Sequence, residues 1–322
     1  MSMEIKKILQ YNRNPEISDW FMDRLDVLIK DKVYHNDIEE LSDRLVKGLE
    51  DYREHWGLEN IVLGMSGGID SALTAALFKK AGWKVTGCTL PIHQVIAETD
   101  RGREACEKLD IEHIHIDLTE SYEQFRMLGI ADVDKLAGEA PQGIDLSSYD
   151  LDTRKRLGNI RARMRMITLY NLASLKKGIV GSTDNFSELA AGFWTLHGDV
   201  GDVAPIQSLT KSWEVPALAE LLGVPDSIIS AKPTDGLGVG NGDEDQFGFS
   251  YLEFDIALFS LLRSWDIVHD NLESGKDKAI VDNVKQRIAS TTFKRLNPVN
   301  LTHPLDQSRY SDLERLDDKL RR

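Results

Sequence analysis

Apolar residues along this chain recur with two different periods, and the switches between the periods mark the elements. The run NIVLGM (60–65) is short and rich in β-branched residues, and SALTAALFKKAGW (71–83) carries apolar positions at helical spacing until Gly82 stops it. That order predicts a strand, a tight turn and a helix. The alternation continues through KVTGCTL (84–90), the helix-like AETDRGREACEKL (97–109) and IEHIHIDL (111–118). Strands alternating with helical patterns predict an α/β fold, a parallel sheet flanked by helices. Farther on, LGNIRARMRMITLYNLASLKKG (157–178) predicts a long helix with Leu157, Ile160, Met164, Ile167 and Asn171 on one stripe, and GIVGST (178–183) another buried strand. Residues 1–55 read as two charged amphipathic helices forming an extension, 56–265 as the core, and 266–322 as a C-terminal segment with a charged tail. The glycine-rich, acidic stretch TDGLGVGNGDEDQFGFS (234–250) reads as a loop, and YLEFDIALFSLLRSW (251–265) as a further apolar helix.

Composition narrows the classes. A chain of 322 residues with 41% hydrophobic content can fill a substantial core. Asp and Glu outnumber Lys and Arg by 53 to 39, so the surface field repels a nucleic-acid backbone and a general nucleic-acid partner is not expected. Cys88 and Cys106 are the two cysteines, and neither a disulfide framework nor a zinc site is indicated. With no signal-like apolar segment and no window resembling a membrane span, a reducing, cytoplasmic setting is expected and a membrane partner is not. His113 and His115 alternate along one predicted strand without a third ligand near in sequence, which favours a half-buried strand over a metal site.

Candidate chemistry concentrates in LGMSGGIDSALTAALF (63–78). A turn from a strand into a helix presents main-chain N–H groups that lack intrahelical partners and carry partial positive charge, which suits a phosphate. Gly67 and Gly68 let the backbone approach that phosphate closely, and no Gly-Lys-Ser/Thr of the Walker type follows. Asp70 adds a carboxylate able to hold Mg2+ across pyrophosphate oxygens; the blander alternative has Asp70 and Ser71 as helix caps. A second informative region, GSTDNFSELAAGFWTLHGDVGDVAPIQSLTK (181–211), places Asp184 and Glu188 four apart, on one face of any helix starting there. Glu188 can then offer a second carboxylate to the same cation.

The hexapeptide SGGIDS resembles the SGGxDS loop of the ATP pyrophosphatases, whose fold is adenine nucleotide α-hydrolase-like. The order GSTDNxSE, GFxTxxGD and LTK, with GNIRARMRMITLY (158–170), KPTDGL (232–237) and a looser STTFKRLNP (290–298), is similar to ammonia-dependent NAD synthetases. The resemblance implies that Gly64, Met65, Ser66, Gly67, Gly68, Ile69, Asp70 and Ser71 cradle ATP phosphates, with Asp70 and Glu188 as Mg2+ ligands. Thr183 and Thr234 would contact ATP, Lys211 would neutralise its phosphates, and Arg163, Asp202 and Lys294 would contact the dinucleotide. Two positions depart from the pattern: Leu196 stands where many members carry a substrate-binding Lys, and Phe293 where they have His.

The implied reaction makes an amide from the nicotinate carboxylate of deamido-NAD. That carboxylate attacks the α-phosphorus of ATP, pyrophosphate leaves, and ammonia displaces AMP to give NAD. Several negative oxygens must be brought together, so catalysis rests on positioning and charge neutralisation. Lys211 and Arg163 fit that demand, Arg163 because it sits beside Ile160 and Met164 and can bury its stem while aiming its head into a cleft. The neighbouring Arg154, Lys155, Arg156, Arg161 and Arg165 read mostly as a solvated helix face. Asp184 is a candidate base for ammonium, and residues 235–248 read as a lid that excludes water. Neither end holds an amidohydrolase domain, so free ammonia is the expected donor, and the resemblance implies a homodimer. A different ATP pyrophosphatase-type ligase, or a noncatalytic nucleotide sensor, remains open at this point.

Overall fold

The computed structural model describes residues 2–31, 37–127, 150–232, 244–245, 248–263, 272 and 275–295. Its centre is a parallel sheet of four strands in the order β3-β2-β1-β4, namely β1 (Asn60–Gly64), β2 (Lys84–Thr89), β3 (Glu112–His115) and β4 (Ile179–Val180). Side chains alternate across a strand, and β1 shows the consequence: Ile61 and Leu63 enter one hydrophobic core while Val62 enters another. The first core packs the sheet against the helices Ile38–Trp56, Ile69–Lys80 and Glu214–Leu221 through Leu41, Leu49, Leu73, Leu77, Phe78 and Leu218. The opposite core uses Cys88, Leu90, Met166, Leu169 and Ala173, the last three from the helix Leu151–Leu175. The α/β expectation holds, with β4 reduced to two residues of the GIVGST run and prolonged by one bridge from Gly181 to Val203.

A third core lies off the sheet. Helices Met3–Tyr11 and Asp19–Lys30 pack against Tyr251–Arg263 and Lys276–Ser290 around Phe21, Leu25, Tyr251, Leu252, Phe254, Ile256, Val281 and Val284. Ala190, Ala191 and Trp213 join this cluster, so the helical half is welded to the sheet half beside the segment 181–213.

Several local expectations need correction. Three helices, not two, precede the sheet among the described residues, and the third packs directly into its first core. The stretch after 266 contains a helix at Lys276–Ser290, which buries Ile280, Val281 and Val284 and half-buries Ile288. The long helix turns a different face inward. Leu157, Ala162, Met166, Leu169 and Ala173 are buried, whereas Ile167 is 70% exposed. Arg161 occupies the inner face by lying over the Tyr122 ring at 4.9 Å, so a charged residue takes a buried place that an apolar stripe alone would not suggest.

Candidate active site

β1 delivers the chain at the carboxyl edge of the sheet, where residues 65–68 turn into the helix Ile69–Lys80. Gly67 takes φ +83°, and a Cβ there would run into the Glu98 carbonyl oxygen, so both conformation and space demand glycine. Gly68 is the N-cap and offers no side-chain cap, leaving the first-turn N–H groups without a side-chain acceptor at that position. The turn is tied by Ser66 Oγ accepting from Gly68 N at 3.2 Å and by Ser71 Oγ donating to Gly68 O at 3.0 Å. Arg101 Nε donates to Gly67 O at 3.1 Å, which satisfies that carbonyl beside the cleft.

That cavity is a cleft of about 900 Å3 lined by residues 64–71, Thr183, Asp184, Glu188, Lys211 and Lys294. Lys211 Nζ binds Asp70 Oδ2 and lies 3.2 Å from Glu188 Oε1, over the Tyr251 ring at 5.6 Å. Asp70 is held from its other oxygen by Asn185 Nδ2 at 2.9 Å, and Asn185 also caps the helix Phe186–Ala191 in a reciprocal arrangement with Glu188. Both carboxylates therefore keep one oxygen directed at the same point, now taken by the lysine ammonium.

Two more acids face the cleft from 184 and 199. Burial pushes the Asp184 carboxyl up to about 7, the neighbouring charges of Asp199 and Asp70 push the same way, and donation from Ser182 Oγ at 2.8 Å opposes. Asp199, partly open to the cleft, is also raised by burial, against the Thr195 N–H at 2.5 Å and the charges of Arg165 and Lys294. Lys294 Nζ donates to the carbonyls of Gly192 at 2.6 Å and Trp194 at 2.5 Å, and desolvation lowers its pKa.

Most sequence-derived site residues thus converge, but not all. Asp202 does not line the cleft; its carboxylate accepts from Tyr170 Oη at 2.9 Å and from Val180 N at 2.8 Å, pinning β4. Arg163 does not line it either, because its Nε donates to Leu196 O at 3.1 Å. Arg154, Lys155 and Arg165, read from sequence as a solvated face, line the cleft instead. Asp199, the acid of the GD pair in GFxTxxGD, lines the cleft without being among the sequence-derived site residues. Thr234 and most of the proposed lid at 235–248 lie outside the described residues. Phe293 is 58% exposed. Among the described residues no group of three His, Cys, Asp or Glu side chains converges as a metal cage, and no helix is long and apolar enough to cross a membrane.

A parallel sheet whose first strand ends in a glycine turn, with carboxylates and a lysine gathered over the following helix start, defines an α/β nucleotide-phosphate-binding fold of the adenine nucleotide α-hydrolase type. The family model for NAD synthase matches residues 41–298, and the chain belongs to the NAD synthase family. The NH(3)-dependent NAD(+) synthetase of Finegoldia magna is 35% identical over 243 residues, covering 74% of this chain and 92% of that protein. That of Methanococcoides burtonii is 33% identical over 263 residues, 81% and 94% respectively. Among solved structures, an NMN synthetase from Francisella tularensis superposes with TM-score 0.65 at 30% identity, covering 83% of this chain and 99% of that one. The NH3-dependent NAD synthetase from Campylobacter jejuni, solved with a nitrate ion, gives 0.62 at 28% identity, covering 82% and 99%.

Proposed function

We propose that this chain is an ammonia-dependent NAD synthetase that adenylates deamido-NAD with ATP and then releases NAD and AMP. The observation that carries the reading is the Lys211 ammonium held between the Asp70 and Glu188 carboxylates beside the uncapped glycine turn. A mere binder of nucleotide needs the turn but not a paired set of carboxylates with a shared counter-cation. Those two carboxylates fit Mg2+, a hard cation that takes one or two protein carboxylates and completes its shell with phosphate oxygens and water. When bound there, the ion would neutralise charge on the leaving pyrophosphate.

The chain's own groups divide the remaining work. The N–H groups opening the helix Ile69–Lys80 receive phosphate oxygens, and Lys211, released from its carboxylates, neutralises charge that grows as pyrophosphate departs. Arg154, Lys155 and Arg165 add positive potential along the same cleft wall. Asp184, whose carboxyl is poised at about 7, accepts a proton from ammonium so that neutral ammonia attacks the adenylated carbonyl. The exposed Ile167, Tyr170 and Leu175 share the outer face of the helix Leu151–Leu175 and support the homodimer. Asp202, bonded to Tyr170, borders that face, where a dinucleotide at a subunit boundary would meet it.

The Francisella likeness favours a second reading in which the acceptor is the mononucleotide. Pyrophosphate release from ATP, Mg2+ and ammonium, measured with deamido-NAD, with nicotinate mononucleotide and with neither, separates the two. Release that requires deamido-NAD and yields NAD by mass supports the proposal. Release that requires the mononucleotide transfers the activity to the second reading, and release with neither acceptor removes both.

A further inference from the structure

Lys211 sits on a turn between two elements, so no helix or strand ladder fixes its main chain. Three consecutive N–H groups donate instead to side chains that are almost wholly buried. Thr210 N reaches Glu214 Oε2 at 2.9 Å, Lys211 N reaches Ser187 Oγ at 2.9 Å, and Ser212 N reaches Asp255 Oδ2 at 3.1 Å. Ser187 Oγ in turn donates a hydrogen bond to Asp255 Oδ1 at 2.5 Å, so both carboxylate oxygens of Asp255 end on the two strips of chain that carry Lys211 and Glu188. From the other side, Asn12 Nδ2 donates to Ser212 O at 2.6 Å and to Ile8 O at 2.7 Å. Ser187 and Asp255 are fully buried, where each bond lacks competition from water.

Asp255 and Asn12 both belong to the helical half, on the helices Tyr251–Arg263 and Met3–Tyr11 or its cap, and Asn12 precedes residue 41, where the family match begins. A fully buried carboxylate is costly unless donors surround it, and here its donors come from the two strips it joins, Ser187 in the helix Phe186–Ala191 and Ser212 on the Lys211 turn. We propose that Asp255 is a positioning residue for Lys211, acting through Ser187 Oγ and Ser212 N–H, with Asn12 completing the grip. The helical half thereby places the cation that meets the ATP phosphates. This inference rests on the reading of Lys211 given above.

The test reads ATP affinity by calorimetry with Mg2+ and no acceptor, so the identity of the acceptor does not enter. Asp255→Asn keeps the volume but loses one of the two oxygen acceptors, and is expected to weaken ATP binding about tenfold, the worth of one buried hydrogen bond. Asn12→Ala, which removes the two neutral bonds to Ser212 O and Ile8 O, is expected to weaken it about threefold. In a Lys211→Met background neither change should weaken binding further, because both act through that side chain. Full additivity in that background, or unchanged affinity in both single variants, overturns the proposal while leaving the site reading intact. Failure of the unsubstituted chain to bind ATP overturns both. Should Asp255→Asn fail to fold, Asn12→Ala and Ser187→Ala carry the same cycle with the same two outcomes.

Discussion

The glycine turn at 66–68 and the turn carrying Lys211 meet at Asp70, yet they are held in place by different physics. The first is mainly local. It lies between a buried strand and the helix that strand feeds, its conformation is set by Gly67 at φ +83°, and its ties come from Ser66 and Ser71 a few residues away, with one further bond from Arg101, 34 positions on. The second is held by Ser187, Glu214, Asp255 and Asn12, of which Asp255 and Asn12 lie 43 and 200 positions from Ser212. A site assembled from one local and one long-range turn draws its shape from both halves of the molecule, and a defect in either should reach the same phosphates.

The largest expected effect breaks the local side. Gly67→Ala adds a Cβ against the Glu98 carbonyl oxygen in a conformation that L-residues rarely adopt. The turn must then rearrange, at a cost of about 2 kcal/mol in urea unfolding and a loss of ATP affinity of about 100-fold or more. Retained ATP binding would show that the turn is not the phosphate cradle.

A pH scan sharpens the contrast, because the glycine turn uses no titrating group while the cleft's far wall buries acids. The Asp184 carboxyl titrates at 3.8 when unperturbed and at about 7 in the fold. Between those values the folded chain keeps a proton that the unfolded chain has lost, so this group's contribution is fully present below the lower value and is lost as pH rises through the upper one. Asp184→Asn is therefore expected to flatten the fall of stability across that window and to leave the variant about 1–2 kcal/mol more stable than the unsubstituted chain above about pH 8. Asp255, also pushed up to about 7 by burial, keeps part of the slope in the variant. An unchanged slope by urea titration at several pH values would place Asp184 in a solvated setting instead.

The smallest effect serves as the control that touches neither turn. Ile167 is 70% exposed on the outer face of its helix. Ile167→Lys is expected to change stability by less than about 0.5 kcal/mol and leave ATP affinity unaltered, while the proposed dimer predicts a shift of sedimentation toward the monomer. A matching loss of ATP affinity would show that the two turns depend on the proposed dimer as well as on each other.

What could be read along the chain follows the same division. Residues 60–83 announced their strand, turn and helix because the period switch and the glycines that signal them are contiguous. Asp70, Glu188 and Lys211 came together as the resemblance implied, and the capping pair of Asn185 and Glu188 explains why the second carboxylate faces the first. Arg163 was the residue favoured by the apolar stripe, but the sheet took the neighbouring face of that helix and sent Arg163 to the Leu196 carbonyl. Arg154, Lys155 and Arg165 reached the cleft for the same reason. A run of six cations within twelve positions of a helix does not say which of them will meet a wall and which will meet water.

The amino-acid sequence by itself determined the alternation of strand and helix and the glycine turn, since these follow from the hydrophobic period and the steric limits of residues near one another in the chain. Only the tertiary structure decided which helix face turned inward, that Asp199 rather than Asp202 lines the cleft, and that the Lys211 turn ends on Asp255 and Asn12. Those outcomes come from packing and from the satisfaction of buried polar groups by partners far away in sequence, and no periodicity along the chain encodes which distant partner a main-chain N–H will find.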